Sequence, residues 1–434
     1  MNARNTALSA LIATRRQGAW SDGILKQYIA RDGLDRRDAA FCSSLCYGVL
    51  QNRMLLDFYI SGFLNGKLRD LQPVVLDILR LGMYQIAFLD KVPSSAAVNE
   101  AVEQCKRYAN KRAAGLVNGV LRAAARADVL PQLDDPAIKY SHPQALVDLL
   151  RESVGDAMLV PLLASDNAPA PTTLQVNPLI PGSEHAVQEL LDAGAALTPH
   201  PWLDGCWLAK GTGNLEQLEA FQDGRIFVQD AAARLAAIAS GVAPGMRVID
   251  VCAAPGGKSF AAAMQMQNEG SVLSCDIHPH KMELIEKGAQ RLGITIVQPQ
   301  VQSAAERRAE FVDAFDVVIA DVPCSGLGVI RKKPDIRYKD LAQTERLPAL
   351  QSAILDNVSA YVKPGGVLLY STCTVLRREN EDVASGFLAR HSEFQLEAFD
   401  VPAGAQLEND GMLTLLPCVH GTDGFFICKL RRIR

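Results

Sequence analysis

Two cysteines carry the strongest chemical signal in this 434-residue chain. Cys324 stands in Asp321-Val322-Pro323-Cys324-Ser325-Gly326 and Cys373 in Ser371-Thr372-Cys373-Thr374. Each motif closes an apolar run, FDVVIADV or GVLLYSTC, that reads as a β-strand. Neighbouring strands that both end in cysteine deliver two sulfurs to one edge of a sheet. A cysteine is partly thiolate near neutral pH and intrinsically nucleophilic, so the pair suits covalent catalysis, and Asp321 adds a carboxylate able to stabilise developing charge. Spacing alone leaves open which sulfur attacks. The ten cysteines include no CxxC pair and no His/Cys cluster at zinc spacing, so no metal is expected and the remaining thiols read as small buried hydrophobes in a reducing compartment.

A second constellation lies upstream, where the run RVIDVCA ends in Asp250-Val-Cys252-Ala253-Ala254-Pro255-Gly256-Gly257-Lys258-Ser259. Paired glycines between a strand and a helix let the backbone approach a ligand, and the helix start offers free N–H groups. Neither GxGxxG nor GxxxxGK[ST] is present, which argues against NAD and ATP. The next run, SVLSCDI, closes on Asp276, a strand-end acid placed where it can accept both hydroxyls of a ribose. A tight turn with a helix cap would account for the glycines equally well without a ligand.

The wording of the motifs says more than their spacing. CAAPGGKS at 252–259, DxPCSGxG at 321–328 and RxxPDI at 331–336 closely resemble the signature of the NOL1/NOP2/Sun family of RNA cytosine-C5 methyltransferases. The resemblance implies that Cys252, Ala253, Ala254, Pro255, Gly256, Gly257 and Lys258 line S-adenosylmethionine, that Asp276 holds its ribose, and that Asp321 lies by the sulfonium and the target base. The family's third-strand acid, which meets the adenine, falls at Gln302 here; an amide can still hydrogen-bond an adenine edge. By the same resemblance Cys373, in the Thr-Cys motif, is the nucleophile, Cys324 assists release, and Pro323 shapes the turn. In the DNA cytosine-C5 enzymes the attacker is instead the cysteine of the Pro-Cys strand end. Enzymes acting on exocyclic amines place Asn/Asp-Pro-Pro-aromatic at the fourth strand end, and DVPCSG lacks both the second proline and the aromatic.

The resemblance reaches nearly the whole chain. LCYGVL (45–50) and LVNGVLR (116–122) look like a NusB-like RNA-binding domain, and Tyr140-Ser-His142-Pro143, Phe227-Val-Gln229-Asp230 and Asp423-Gly424-Phe425-Phe426 fit the bacterial branch that carries it. That branch implies 16S ribosomal RNA as substrate. Leu174-Gln175-Val176-Asn177 departs from the family's LRxN, so one expected phosphate contact is missing. Alternatives are another RNA such as tRNA, DNA cytosine, or a non-catalytic RNA-binding assembly factor; the retained cysteines, Asp321 and glycine turn argue against the last.

These residues need a scaffold, and the chain divides into textures that supply it. Residues 1–130 read as helix throughout, an all-α NusB-like domain whose first twenty residues form an amphipathic helix. Residues 131–224, broken by prolines, read as a small mixed α/β linker and RNA-binding domain. From 225 to 434, β-rich runs alternate with helical ones, as in a doubly wound parallel sheet: RVIDVCA, SVLSCDI, ITIVQPQV, FDVVIADV and GVLLYSTC, followed by MLTLLP and GFFICKL as an antiparallel edge hairpin. This is a Rossmann-like methyltransferase architecture, in which ligands bind beyond the carboxyl ends of the strands. Residues 1–130 carry 18 Lys and Arg against 11 Asp and Glu, a net of +7, while the whole chain is at −4. A basic helical domain ahead of an acidic remainder suits a polyanion, and Arg331-Lys332-Lys333 adds a basic loop beside the catalytic strand. With no long apolar run, a cytoplasmic monomer is expected.

Overall fold

The computed structural model describes residues 2–17, 21–402, 405 and 407–434. They pack as two units. The first comprises residues 1–151, 156–168 and 330–339, and the second 152–155, 169–329 and 340–434. The stretch 131–224 is therefore shared between them.

The first unit is helical: α1 (Ala3–Gln17), α2 (Ser21–Arg31), α3 (Arg36–Gln51), α4 (Arg53–Phe63), α5 (Pro73–Phe88), α6 (Ser94–Tyr108) and α7 (Lys111–Arg126), then α8 (Pro136–Lys139) and most of α9 (Gln144–Ser165). Gly18, Ala19 and Trp20, the end of the expected amphipathic helix, lie outside the described residues, as does Met1. Local chemistry sets the helix starts. Asp35 and Asn110 accept from the N–H of Asp38 and Ala113, both at 2.8 Å, and Pro73 occupies the first turn of α5, where its missing N–H is not needed. Two glycines allow the helices to close. A β-carbon on Gly48 of LCYGVL would sit 1.9 Å from the Tyr84 ring, and one on Gly82 would sit 2.4 Å from Leu121 of LVNGVLR.

The segment 330–339 belongs to this helical unit although it follows the Cys324 motif in the chain. Arg337, 1% exposed, donates from Nη1 to the carbonyls of Gln51 (3.0 Å) and Tyr140 (2.9 Å) and to Asn167 Oδ1 (2.8 Å). The Tyr338 hydroxyl donates to the Leu50 carbonyl at 3.0 Å. Arg331 is buried too, so the basic run expected to face RNA offers only Lys332 and Lys333 to solvent.

The second unit holds two sheets. The smaller is antiparallel, with β1 (Thr172–Val176), β2 (Ala196–Pro199), β3 (Cys206–Lys210) and β4 (Ile226–Val228) in the order β2-β3-β1-β4, and it packs with α10 (Ala186–Asp192) and α11 (Glu219–Gln222) around Leu174, Leu190 and Ile226. Gln175 is buried there and donates to the Gln229 carbonyl at 3.2 Å. Gln175 thus serves as an internal tie.

The larger sheet contains β5 (Arg247–Asp250), β6 (Ser271–Asp276), β7 (Val297–Val301), β8 (Phe315–Asp321), β9 (Val362–Thr372), β10 (Phe394–Leu396), β11 (Met412–Leu415) and β12 (Phe425–Arg432). Its order is β10-β12-β9-β8-β5-β6-β7, parallel from β9 to β7, with β12 antiparallel to β9. The expected edge hairpin is corrected in one respect: β11 and β12 do pair, but β12 lies inside the sheet, with β10 and β11 forming the edge beyond it. Burial on both faces makes the central strands β8 and β9 strongly apolar. Val248, Val317, Ile319 and Leu369 point to the cluster containing α12 (Ala231–Ala239), α13 (Gly257–Gln265) and α14 (Pro279–Arg291). Ile249, Val318, Leu368 and Tyr370 point to that containing α15 (Leu347–Val358) and α16 (Glu381–Arg390).

Candidate active site

The carboxyl ends of β5, β6, β8 and β9 converge on one region. At the end of β5 the chain turns through Cys252–Gly256 into α13. Gly256 caps the helix at φ +110°, and a β-carbon there would meet the Phe260 ring at 2.4 Å, so conformation and space both require glycine. The turn is braced from below. Ser259 Oγ donates to Asp250 Oδ2 and bonds Ser274 Oγ, each at 2.8 Å, while Gln229 donates to the Gly257 carbonyl at 2.9 Å. Asp250 is fully buried, and burial, reinforced by Asp321, pushes its carboxyl up to about 7 against the opposing pull of Ser259 and Lys258. Asp276 closes β6 and is mostly buried, accepting from the His278 N–H at 3.1 Å with Lys281 3.5 Å away.

Gln302 follows β7, but its amide is spent within its own loop. Nε2 donates to the Ser303 (2.9 Å) and Glu306 (3.1 Å) carbonyls, and Oε1 accepts from Arg308 Nε at 2.5 Å. Two apolar side chains nearby are conspicuously open: Ile277, next to Asp276, is 56% exposed and Val301, before Gln302, 46%. A sequence reading can find them only as hydrophobes one step past, or at, a strand's carboxyl end.

Asp321 ends β8 opposite Ser371 of β9 in the parallel ladder. Its carboxylate takes Lys258 Nζ at 2.6 Å on one oxygen and Ser371 Oγ at 2.9 Å on the other. Lys258 also lies 4.9 Å from the centre of the Phe425 ring, an arrangement that favours the cation. Burial pulls the Lys258 ammonium down, but Asp321 more than offsets this and leaves it raised.

Beyond these strand ends Cys324 Sγ and Cys373 Sγ stand 3.2 Å apart as free thiols. Hydrogen bonding between them favours thiolate on Cys373, against burial and the nearby Asp321, with Lys258 partly offsetting the carboxylate. Cys324, facing that sulfur, burial, Glu379 and Asp321, is pushed well up and stays a thiol. Cys252 is likewise pushed up, first by burial and then by nearby aspartates. Among the described residues no His/Cys/Asp/Glu cluster could hold a metal.

Over its full length the chain is similar to known proteins. A family model described as 16S rRNA methyltransferase RsmB/F matches residues 239–431. A relative in Bacillus subtilis, named a probable ribosomal RNA small subunit methyltransferase B, is 37% identical over 442 residues, covering 99% of this chain and 98% of its own. The chain belongs to the RsmB/F family of 16S rRNA methyltransferases. Another RsmB/F relative, the ribosomal RNA small subunit methyltransferase B of Vibrio cholerae, is 32% identical over 444 residues, covering 100% of this chain and 98% of its own. The NusB family model matches residues 1–126, within the helical unit. Among solved structures, PH0851 superposes with a TM-score of 0.82 at 26% identity over 99% of both chains. NSun6 from Pyrococcus horikoshii shares the fold, with a TM-score of 0.59 at 20% identity over 67% of this chain and 98% of its own. As an RsmB/F protein the chain is an S-adenosylmethionine-dependent methyltransferase with a Rossmann-like catalytic fold. The site suits that cofactor: a glycine turn at a helix start, a strand-end acid and exposed apolar side chains lie along one sheet edge.

Proposed function

We propose that this chain methylates carbon 5 of a cytosine in 16S ribosomal RNA through a covalent adduct between Cys373 and carbon 6. The observation that carries the reading is the pair of free thiols, Cys324 Sγ and Cys373 Sγ, 3.2 Å apart just past the ends of β8 and β9, where Asp321 and Ser371 stand opposite one another. The family description and the relatives' names support the substrate. Carbon 5 of cytosine is a poor nucleophile. The Cys373 thiolate adds to carbon 6, forming an S–C bond and pushing electron density toward carbon 5, while Asp321 binds the N3 and N4 edge of the ring. S-adenosylmethionine supplies the electrophilic methyl group for the new C5–CH3 bond. The carbon 5 proton then passes to solvent, its electron pair re-forms the C5–C6 double bond, the S–C6 bond breaks and Cys373 leaves as thiolate, with Cys324 assisting this release.

Cys252 through Lys258 line the cofactor and Asp276 holds its ribose. Gln302 acts at the adenine end by holding the 303–308 loop, its amide being already engaged, and Ile277 offers an apolar face there. Residues 1–130 grip RNA, 131–224 link and assist, and 225–434 carry the chemistry. The target must be single-stranded or flipped from its stack for the methyl to reach carbon 5 in line. The protein works as a cytoplasmic monomer.

Trapping tests this reading. On 16S RNA containing 5-fluorocytosine, fluorine cannot leave as the proton does, so wild-type protein should stall as a covalent complex whose RNA-linked peptide contains Cys373. An adduct on Cys324 would reverse the assignment, and no adduct would end the covalent mechanism.

A further inference from the structure

Two consecutive residues outside the cysteine motifs hold both of them. Asn380 Oδ1 accepts from Thr372 Oγ1 at 2.6 Å and its Nδ2 donates to the Thr374 carbonyl at 3.0 Å, so one amide grips the chain on either side of Cys373. Glu379 Oε2 accepts from the Ser325 N–H at 2.9 Å and from Gln351 Nε2 at 2.9 Å. That Gln351 nitrogen also donates to the Pro323 carbonyl at 3.0 Å, so carboxylate and amide together grip the chain on either side of Cys324. A hydroxyl bridge of 2.8 Å between Ser325 and Thr374 joins the two grips. Glu379, Asn380 and Gln351 are each fully buried, and the Tyr370 hydroxyl pins the Glu379 main-chain carbonyl. Burying a carboxylate with one oxygen unpartnered costs stability, and here Glu379 Oε1 has no hydrogen-bond partner. Packing does not account for such a residue; fixing a backbone does.

We propose that Glu379 and Asn380 are positioning residues with separate duties: Asn380 places the attacking sulfur of Cys373, and Glu379, working with Gln351, places the sulfur of Cys324 for release. Because the two are adjacent in the chain, they also hold the two sulfurs at a set distance from each other. The step blocked by each variant rests on the division of labour proposed above; the placement itself does not.

The test uses the full-length protein with S-adenosylmethionine and 16S RNA, and reads single-turnover methyl transfer, covalent complex on a denaturing gel, and alkylation of each cysteine by mass spectrometry. Misplacing a reacting group by about 1 Å costs on the order of 100-fold. Asn380→Ala should therefore slow methyl transfer about 100-fold with no covalent band. Glu379→Ala should transfer one methyl and then release about 100-fold slowly, with a lasting covalent band. Glu379→Gln keeps an oxygen to accept from Ser325 and should restore release. Alkylation should change at Cys373 alone for Asn380→Ala and at Cys324 alone for Glu379→Ala. Should Glu379→Ala not fold, Gln351→Met removes the Pro323 anchor and must give the same pattern more weakly. Identical losses in both variants, or alkylation changed at neither cysteine or at the wrong one, would overturn the proposal. If Cys324→Ala run in parallel leaves no covalent band while alkylation follows the expected pattern, the placement stands and the release role of Cys324 falls.

Discussion

Asp321 faces Ser371 across the parallel ladder and accepts its hydroxyl at 2.9 Å, so the strand ends leading to Cys324 and Cys373 are locked level with one another. The other oxygen of the same carboxylate takes Lys258, which ties the glycine turn to this junction. Lys258→Met should leave Asp321 without its cation and lower unfolding stability by about 2 kcal/mol, between the values for exposed and buried pairs, as read by denaturant titration. Because Lys258 favours thiolate on Cys373, alkylation of Cys373 at neutral pH should also slow. An unchanged alkylation rate would remove Lys258 from the electrostatics of the nucleophile.

Cofactor affinity depends on Asp276 in a separable way. Asp276→Ala removes the proposed acceptor for the ribose hydroxyls, and each hydrogen bond to a charged group contributes about 1.5 to 3 kcal/mol. Calorimetry should show S-adenosylmethionine binding weaker by about 100-fold at least, with no binding of NADH or ATP by wild type or variant. Wild-type affinity in the variant would place the ribose elsewhere.

The two sulfurs should fail differently. Cys373→Ala should abolish both methylation and any covalent complex, since nothing can add to carbon 6. Cys324→Ala should still add and methylate but release slowly, leaving a shifted band on a denaturing gel with unmodified RNA. Equal and complete loss in both variants would argue that neither sulfur acts after methyl transfer.

Asp250 makes stability depend on pH with a definite sign. Its carboxyl is raised from 3.8 to about 7 on folding, so the folded state holds a proton that the unfolded chain has given up between those values. Its contribution is therefore full below about pH 4 and is lost as pH rises through 7. A shift of roughly three units corresponds to about 4 kcal/mol. Asp250→Asn, compared with wild type by denaturant titration at pH 5 and pH 8, should become relatively more stable at the higher pH by about 3 kcal/mol, because only the part of the window between pH 5 and 7 is crossed. A difference independent of pH would show the carboxyl to be ordinary.

RNA gripping can be weakened without touching the chemistry. Between α6 and α7 lies an open groove of 460 Å³ lined in part by Lys106, Lys111 and Arg122. If Lys111 and Arg122 each neutralise one phosphate of single-stranded RNA, Lys111→Ala with Arg122→Ala should flatten the slope of log affinity against log salt by about 1.4. S-adenosylmethionine affinity should not change. An unaltered slope would move the RNA contact away from this groove.

The central parallel strands were legible because β8 and β9 are buried on two faces, which turns alternation into unbroken apolar runs such as VVIAD and GVLLYST. The cysteines were legible because strands of one sheet carry their ends to a common edge, here with Asp321 and Ser371 level. Position within the sheet was not: GFFICKL reads as an edge because its partners, β9 on one side and β10 and β11 on the other, are matched by long-range pairing that no local pattern records. Arg331 illustrates a second blindness, since a basic triplet reads as surface whether or not its first member is buried. Glu379, Asn380 and Gln351 were missed for a related reason. A polar side chain followed by ordinary helix sequence shows its purpose only when two loops about fifty residues apart close around it.

The burial of Arg337 among Gln51, Tyr140 and Asn167 has a consequence for synthesis. A chain leaving the ribosome exposes its amino-terminal part first, and domains generally fold in that order. Here the helical unit lacks a fully buried side chain, together with the donors for three of its own acceptors, until residue 337 has emerged. Its last contacts form late, after the glycine turn and the first cysteine motif are already outside, so the helical unit is completed only when much of the second unit's sequence has been made.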